Sequence, residues 1–180
     1  MPRYAAFLRA INVGGHVVKM EQLRSLFEKL GFSEVETYIA SGNVVFETAG
    51  RNAATLEKKI AAALEGALGY EVATFLRTTP ELKEVAEYRA YPAAALSAPG
   101  VSLYVGFLAA PLSAAAQKAL LTMKTKADDL HLHGRELYWL GRKGFAEAEF
   151  SPAKMEKALQ IRATFRNVTT VRKMAERFAS

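Results

Sequence analysis

The chain is predicted to be α+β: two β-α-β-β-α-β units with antiparallel sheets, plus a connecting helix between them and a C-terminal helix. Three observations carry that expectation. Apolar spacing runs twice through the same order of strand, helix, hairpin, helix and strand. Residues 91–100 (YPAAALSAPG) lack charge, are rich in proline, alanine and glycine, and separate the two runs. A length of 180 residues, with 51% hydrophobic and 23% charged, suits one ordinary domain or two small ones able to fold on their own cores. The expected divisions are 1–78 for the first unit, 79–100 for the connecting helix and linker, and 101–180 for the second unit with the last helix.

Residues 4–11 (YAAFLRAI) are almost continuously apolar, as in a strand buried on both faces. Met20, Leu23, Phe27 and Leu30 then recur at helical spacing, and Gly31 closes the helix. Val35, Thr37 and Ile39 alternate, Ser41-Gly42 interrupts, and Val44 to Phe46 resume, which predicts a hairpin. Asn52 is placed to cap a helix along Leu56, Ile60 and Leu64 that Gly69 ends, and 71–77 (EVATFLR) is the fourth strand. Thr79-Pro80 opens the connecting helix, to about Arg89.

In the second half, 102–109 is a strand and 111–123 a helix. Residues 129–132 and 136–140 form a hairpin about Gly134, and Ser151-Pro152 starts another helix. A short strand at 163–166 precedes Asn167, the expected cap of a helix striped by Val168, Val171, Met174 and Phe178. Each half matches the split β-α-β pattern of a ferredoxin-like unit. The element order repeats without residue-level self-similarity, which supports architecture more than common origin.

Absences narrow the chemistry. Without cysteine there are no disulfides, zinc-thiolate sites, iron–sulfur clusters or thiol nucleophiles, and the pattern suits a reducing compartment. The apolar run Tyr4 to Leu8 is too short for a signal peptide's core, and no stretch reaches the roughly 18 residues of a membrane span. The expectation is a cytoplasmic, soluble protein with no membrane partner. The net charge is +6, and residues 151–180 hold seven Lys and Arg against Glu156 and Glu176. Such asymmetry suits an anionic partner, and a solvated helix face as well. Arg172, Lys173 and Arg177 fall on the arc opposite Val171, Met174 and Phe178, which needs no ligand.

Candidate ligand residues cluster in two connections. In Arg9 to Lys19 (RAINVGGHVVK), Asn12, Gly14 and Gly15 precede a helix start, where free backbone N–H groups suit a phosphate or carboxylate, with charge from Arg9 and Lys19. The loop matches neither G-x-G-x-x-G nor G-x-x-x-x-G-K-[ST], and its glycines also suit a tight turn. Arg9 shares strand phase with Ala5, Phe7 and Ile11, so it needs a ligand, solvent or a carboxylate such as Glu36 or Glu47. Ser41, Gly42 and Asn43 form the second cluster, at the hairpin tip, which the topology places at the sheet end where the first strand finishes. Arg166 before the Asn167 cap is a third candidate.

His131 and His133 share a strand face, but two histidines do not make a metal site, and no metal is expected. His16 could serve acid–base chemistry but has no evident nucleophile to pair with. Asp128-Asp129 is expected in a solvated turn.

Taken together, Leu8 to Gly15 (LRAINVGG), Lys19-Met20, Thr37 to Phe46 (TYIASGNVVF) and Thr164 to Val171 (TFRNVTTV) resemble the bacterial family known as domain of unknown function 1697. The resemblance covers essentially the whole chain, implies the paired ferredoxin-like architecture and implies no reaction or cofactor. The family-like positions are Arg9, Asn12, Gly14, Gly15, Ser41, Gly42, Asn43, Arg166 and Asn167. The chain departs from the family at Ala10, usually glycine, at Ala40, usually a polar amide, and at Val168, commonly tryptophan. It also has Ser151-Pro152-Ala153-Lys154 where a Ser-Lys pair is usual.

The leading functional expectation is binding of a small anionic ligand bearing phosphate or carboxylate. Nucleic acid is one version of that ligand, although residues 43–48 lack the stacking aromatics of an RNA-binding sheet. The alternatives are an enzyme acting on a small anionic substrate, with Arg9 positioning it and His16 as acid or base, and a structural or protein-interaction module.

Overall fold

The structure, a computed structural model, describes residues 1–11, 15–39, 42–144 and 147–180. In chain order the first half holds β1 (Arg3–Leu8), α1 (Met20–Lys29), β2 (Ser33–Thr37), β3 (Asn43–Glu47), α2 (Ala53–Leu68), β4 (Thr74–Thr78) and α3 (Thr79–Glu87). After the short α4 (Ala93–Leu96) come β5 (Ser102–Leu108), α5 (Ala114–Leu121), β6 (Asp128–His133), β7 (Glu136–Gly141), α6 (Pro152–Leu159), β8 (Ala163–Asn167) and α7 (Val168–Phe178). The strands form two four-stranded antiparallel sheets, ordered β2-β3-β1-β4 and β6-β7-β5-β8. Both orders are that of the ferredoxin-like unit, so the fold is the repeated α+β architecture.

The chain divides into two compact units, Met1–Glu84 with Met174–Ser180, and Val85–Lys173. The expected grouping kept the whole last helix with the second unit. Here its final residues join the first, where the Phe178 ring meets Tyr38 edge-on at 6.1 Å and receives the Arg3 guanidinium at 5.3 Å. Arg177 Nη2 reaches Glu36 Oε2 at 3.0 Å.

In the first unit, Tyr4, Ala6 and Leu8 of β1 face the helices and join Leu23 and Phe27 of α1 and Leu56, Ile60 and Leu64 of α2 in one core. Phe46 is its aromatic centre, stacked on Phe32 at 4.4 Å and edge-on to Phe27 at 5.5 Å. Such pairs each add roughly 0.5–1.5 kcal/mol beyond burial. The Asn52 side chain accepts the Thr55 N–H at the start of α2, and Gly69 ends that helix in the left-handed region.

The second unit packs Trp139 against Tyr104, Phe150 and Phe165, with α5 and α6 over the same sheet face. Gly106 makes room for that cluster: a Cβ there would lie 2.6 Å from the Phe165 ring. Asp128 is not in a solvated turn. It begins β6, is fully buried, and accepts from Trp139 Nε1 at 2.8 Å and from the Glu149 and Phe150 N–H groups, each at 2.9 Å. A short polar side chain found three fixed donors at a strand end, an arrangement that residue spacing does not show.

The paired strands β1·β4 and β5·β8 also correspond in register, a local likeness against the expectation of no self-similarity. Tyr4 pairs with Thr78 and Ala5 with Arg77, as Tyr104 pairs with Asn167 and Val105 with Arg166. The register aligns Tyr4-Ala5-Ala6-Phe7-Leu8 with Tyr104-Val105-Gly106-Phe107-Leu108. Leu8 N–H donates to Gly42 O and Leu108 N–H to Arg135 O, both at 2.9 Å.

Candidate functional site

β1 ends at Leu8 because the chain turns at Arg9 and Ala10, the latter with φ +57°. Arg9 is therefore off the strand and half-buried, and its N–H donates to Ala73 O at 2.9 Å. With the Leu8 N–H on Gly42 O, the start of the first connection is tied both to the hairpin and to the segment before β4. Glycine is usual in the resembled family where Ala10 stands, and a left-handed residue is where glycine carries no steric cost.

Ile11 is buried at the junction, and its carbonyl accepts from Tyr70 Oη at 3.3 Å. Gly42, at φ +81°, leaves no space for a side chain: a Cβ would lie 2.6 Å from Ile11 Cγ2 and 3.1 Å from Leu8 Cβ. The predicted meeting of loop and hairpin at one sheet end is thus a close-packed contact between described residues. Asn43 is wholly buried, its amide nitrogen donating to Tyr38 O at 3.0 Å while its own carbonyl accepts the Tyr38 N–H at 2.9 Å. That side chain closes the hairpin connection, so its role here is a brace.

On the two connections four described residues adopt positive φ: Ala10, Gly15, Ile39 and Gly42. For β-branched, exposed Ile39 the conformation costs on the order of 1–3 kcal/mol, the kind of backbone strain that concentrates at functional sites. The His16 ring stacks on Tyr70 with centroids 3.8 Å apart, and Lys19 is exposed immediately before α1. Asn12, Gly14 and Ser41 lie outside the described residues. Sequence reasoning gave no role to Tyr70, whose hydroxyl holds the first connection at Ile11, or to Tyr38, whose backbone pairs with Asn43; Tyr38 lies inside the family-like run Thr37 to Phe46, whereas Tyr70 stands in no motif.

The carboxylates expected near Arg9 lie elsewhere in the unit. Glu47 pairs in register with Arg3, six positions along β1 and roughly 20 Å away, and Glu36 binds Arg3 and Arg177. Arg166 lies on β8 in the second unit, 8% exposed, donating to Thr164 Oγ1 at 2.7 Å and Phe165 O at 3.0 Å. Burial brings its guanidinium down to about 10. Asn167 caps α7 by accepting the Thr169 N–H at 2.9 Å. Among the described residues no group of three or more His, Cys, Asp or Glu could hold a metal ion, and no helix is long and apolar enough to cross a membrane.

The family model described as protein of unknown function (DUF1697) matches residues 1–138, which include both connections at the β1 end. The chain belongs to DUF1697. The match stops within β7, so Arg166 and Asn167 of this DUF1697 protein lie beyond it. A solved structure of the conserved bacterial protein SP0830 from Streptococcus pneumoniae is similar over 97% of both chains, with 26% identity and a TM-score of 0.71. No curated protein matches this DUF1697 chain.

Proposed function

We propose that this DUF1697 protein binds a phosphate- or carboxylate-bearing small molecule at the β1 end of its first sheet, and that it does so in the cytoplasm. The observation that carries the proposal is the packed junction of the two connections, which between them hold the left-handed residues Ala10, Gly15, Ile39 and Gly42. Left-handed residues among right-handed ones turn neighbouring backbone N–H groups to one side, the arrangement that suits an anion, and Arg9 and Lys19 bring positive charge on the same connection. Asn12, Gly14 and Ser41 join the proposal through their place in the sequence alone. Arg166 and Asn167 do not join it, since one is buried and bonded within β8 and the other is spent as a cap.

The test is a thermal-shift and equilibrium-binding series with inorganic phosphate, nucleotides, simple carboxylates and a short single-stranded RNA. A probe at about a hundredfold over its Kd stabilises the fold by about 2.7 kcal/mol. Arg9→Gln and Lys19→Ala each weaken binding about tenfold while the circular dichroism spectrum is unchanged. A steep fall of RNA affinity with salt selects the nucleic-acid version. A series in which no probe stabilises the protein removes the proposal.

A further inference from the structure

Within the second unit, the end of α3, residues 88–97, Leu103 of β5 and Arg172 of α7 enclose a groove of about 730 Å³. That is the scale of a small-molecule site. Arg89 and Arg172 line it, both are exposed, and neither makes a hydrogen bond or ion pair with the described residues. Glu87 is the one carboxylate among the lining residues, so the lining is net cationic. A guanidinium presents a planar fork of donors that fits carboxylate or phosphate oxygens, and two on one groove invite such a group between them.

The remaining walls are chiefly aromatic and apolar, from Tyr88, Tyr91 and Leu103. Tyr88 is fixed in place before any ligand arrives. Its hydroxyl shares a 2.6 Å hydrogen bond with His131 Nε2, and its ring stacks on His133 at 3.9 Å and 8°. Tyr138 leans on the same ring at 5.1 Å and is itself anchored, its hydroxyl donating to Val85 O at 3.1 Å. Tyr91 meets His131 edge-on at 6.3 Å. Burial, then the nearby Asp129 carboxylate, push its phenol well above the ordinary value, so it remains a neutral hydroxyl at physiological pH. The histidines that lacked a metal partner are the backing of this aromatic wall.

We propose that the groove binds a small anion with a planar ring, its carboxylate or phosphate held by Arg89 and Arg172 and its ring lying along Tyr88 and Tyr91. Rings held this rigidly lose little freedom on binding, which favours affinity from a small contact area. The groove shares no residue with the β1-end junction, so the two proposals stand or fall separately.

The experiment titrates the full chain with 4-hydroxybenzoate and, separately, with adenosine monophosphate, followed by calorimetry and by amide NMR shifts. Saturable binding of either probe is expected, with shifts concentrated in residues 86–97; the carboxylate or the phosphate ester is then identified by which binds more tightly. Arg89→Ala with Arg172→Ala weakens it about a hundredfold, and Tyr88→Leu about tenfold. Both arginines are exposed, so the double variant keeps its fold, checked by circular dichroism. If neither probe saturates, or if the double variant binds as well as the parent chain, the proposal is overturned.

Discussion

Asp128 shows how much one side chain can do once its surroundings are fixed. Burial alone would raise its carboxyl, but hydrogen bonds from the Trp139 indole, the Phe150 and Glu149 amides and the Thr125 hydroxyl outweigh that and hold it below the ordinary value. A carboxyl depressed by folding contributes stability that is fully present above its unfolded value, about 3.8, and is lost as pH falls through the lower folded value. Asp128→Ala leaves an indole N–H and two amides without their acceptor, and is expected to cost about 3 kcal/mol in chemical denaturation. Asp128→Asn is expected to flatten the acid limb of the stability profile. Superimposable acid limbs for parent and variant would show that this carboxylate is not the one being protonated. None of this was legible from Asp128-Asp129 as a dipeptide. Thr125 aside, the donors come from residues eleven to twenty-two positions away: the pairing of β6 with β7 brings in the Trp139 indole, and the chain after β7 returns to supply the Glu149 and Phe150 amides. Arg9 misled for the opposite reason: its phase with Phe7 was real, but the strand stops one residue earlier, at Leu8.

At the scale of elements, most of the fold could be read because local signals agreed with it. Asn52 and Asn167 cap the helices they were expected to cap, and Ser151 caps the helix that Ser151-Pro152 was expected to start. The hairpin about Gly134 closes where its turn residue stands. The internal likeness was harder to see. YAAFL and YVGFL are a visible match, yet nothing in the letters says that they take the same place in two sheets until Arg77 and Arg166 are found opposite them in the same register. Both guanidiniums also donate to the carbonyl of the preceding residue, at 2.8 and 3.0 Å. The correspondence explains one difference between the strands. β1 has Ala6, opposite Leu76, where β5 has Gly106, opposite Phe165, whose ring presses against that position. Gly106→Ala is accordingly expected to destabilise the protein by about 2 kcal/mol, whereas Ala6→Gly costs only about 1 kcal/mol, through added backbone freedom. Thermal denaturation of the two variants tests the asymmetry; equal losses would mean that Phe165 yields without cost.

Across the whole molecule, the chain does not finish its first unit before starting its second. Residues 174–180 belong with 1–84, tied there by Phe178 against Tyr38 and Arg3 and by Arg177 on Glu36. The exposed ion pair adds little, at most about 1 kcal/mol, so the buried ring carries most of the attachment. Removing residues 174–180 is expected to cost about 3 kcal/mol, comparable to losing one buried aromatic side chain. The loss should appear in hydrogen exchange as faster exchange of β1 and β2 amides, with β6 and β7 much less affected. Uniform loss across both sheets would contradict that attachment. The same arrangement bears on synthesis. At roughly 5–20 residues per second, about ninety residues separate Glu84 from Met174, so a ribosome holds the first sheet short of its last contacts for roughly 5–20 s. A newly made first half therefore waits, with Tyr38 and Arg3 uncovered by Phe178, until the rest of the polypeptide has emerged.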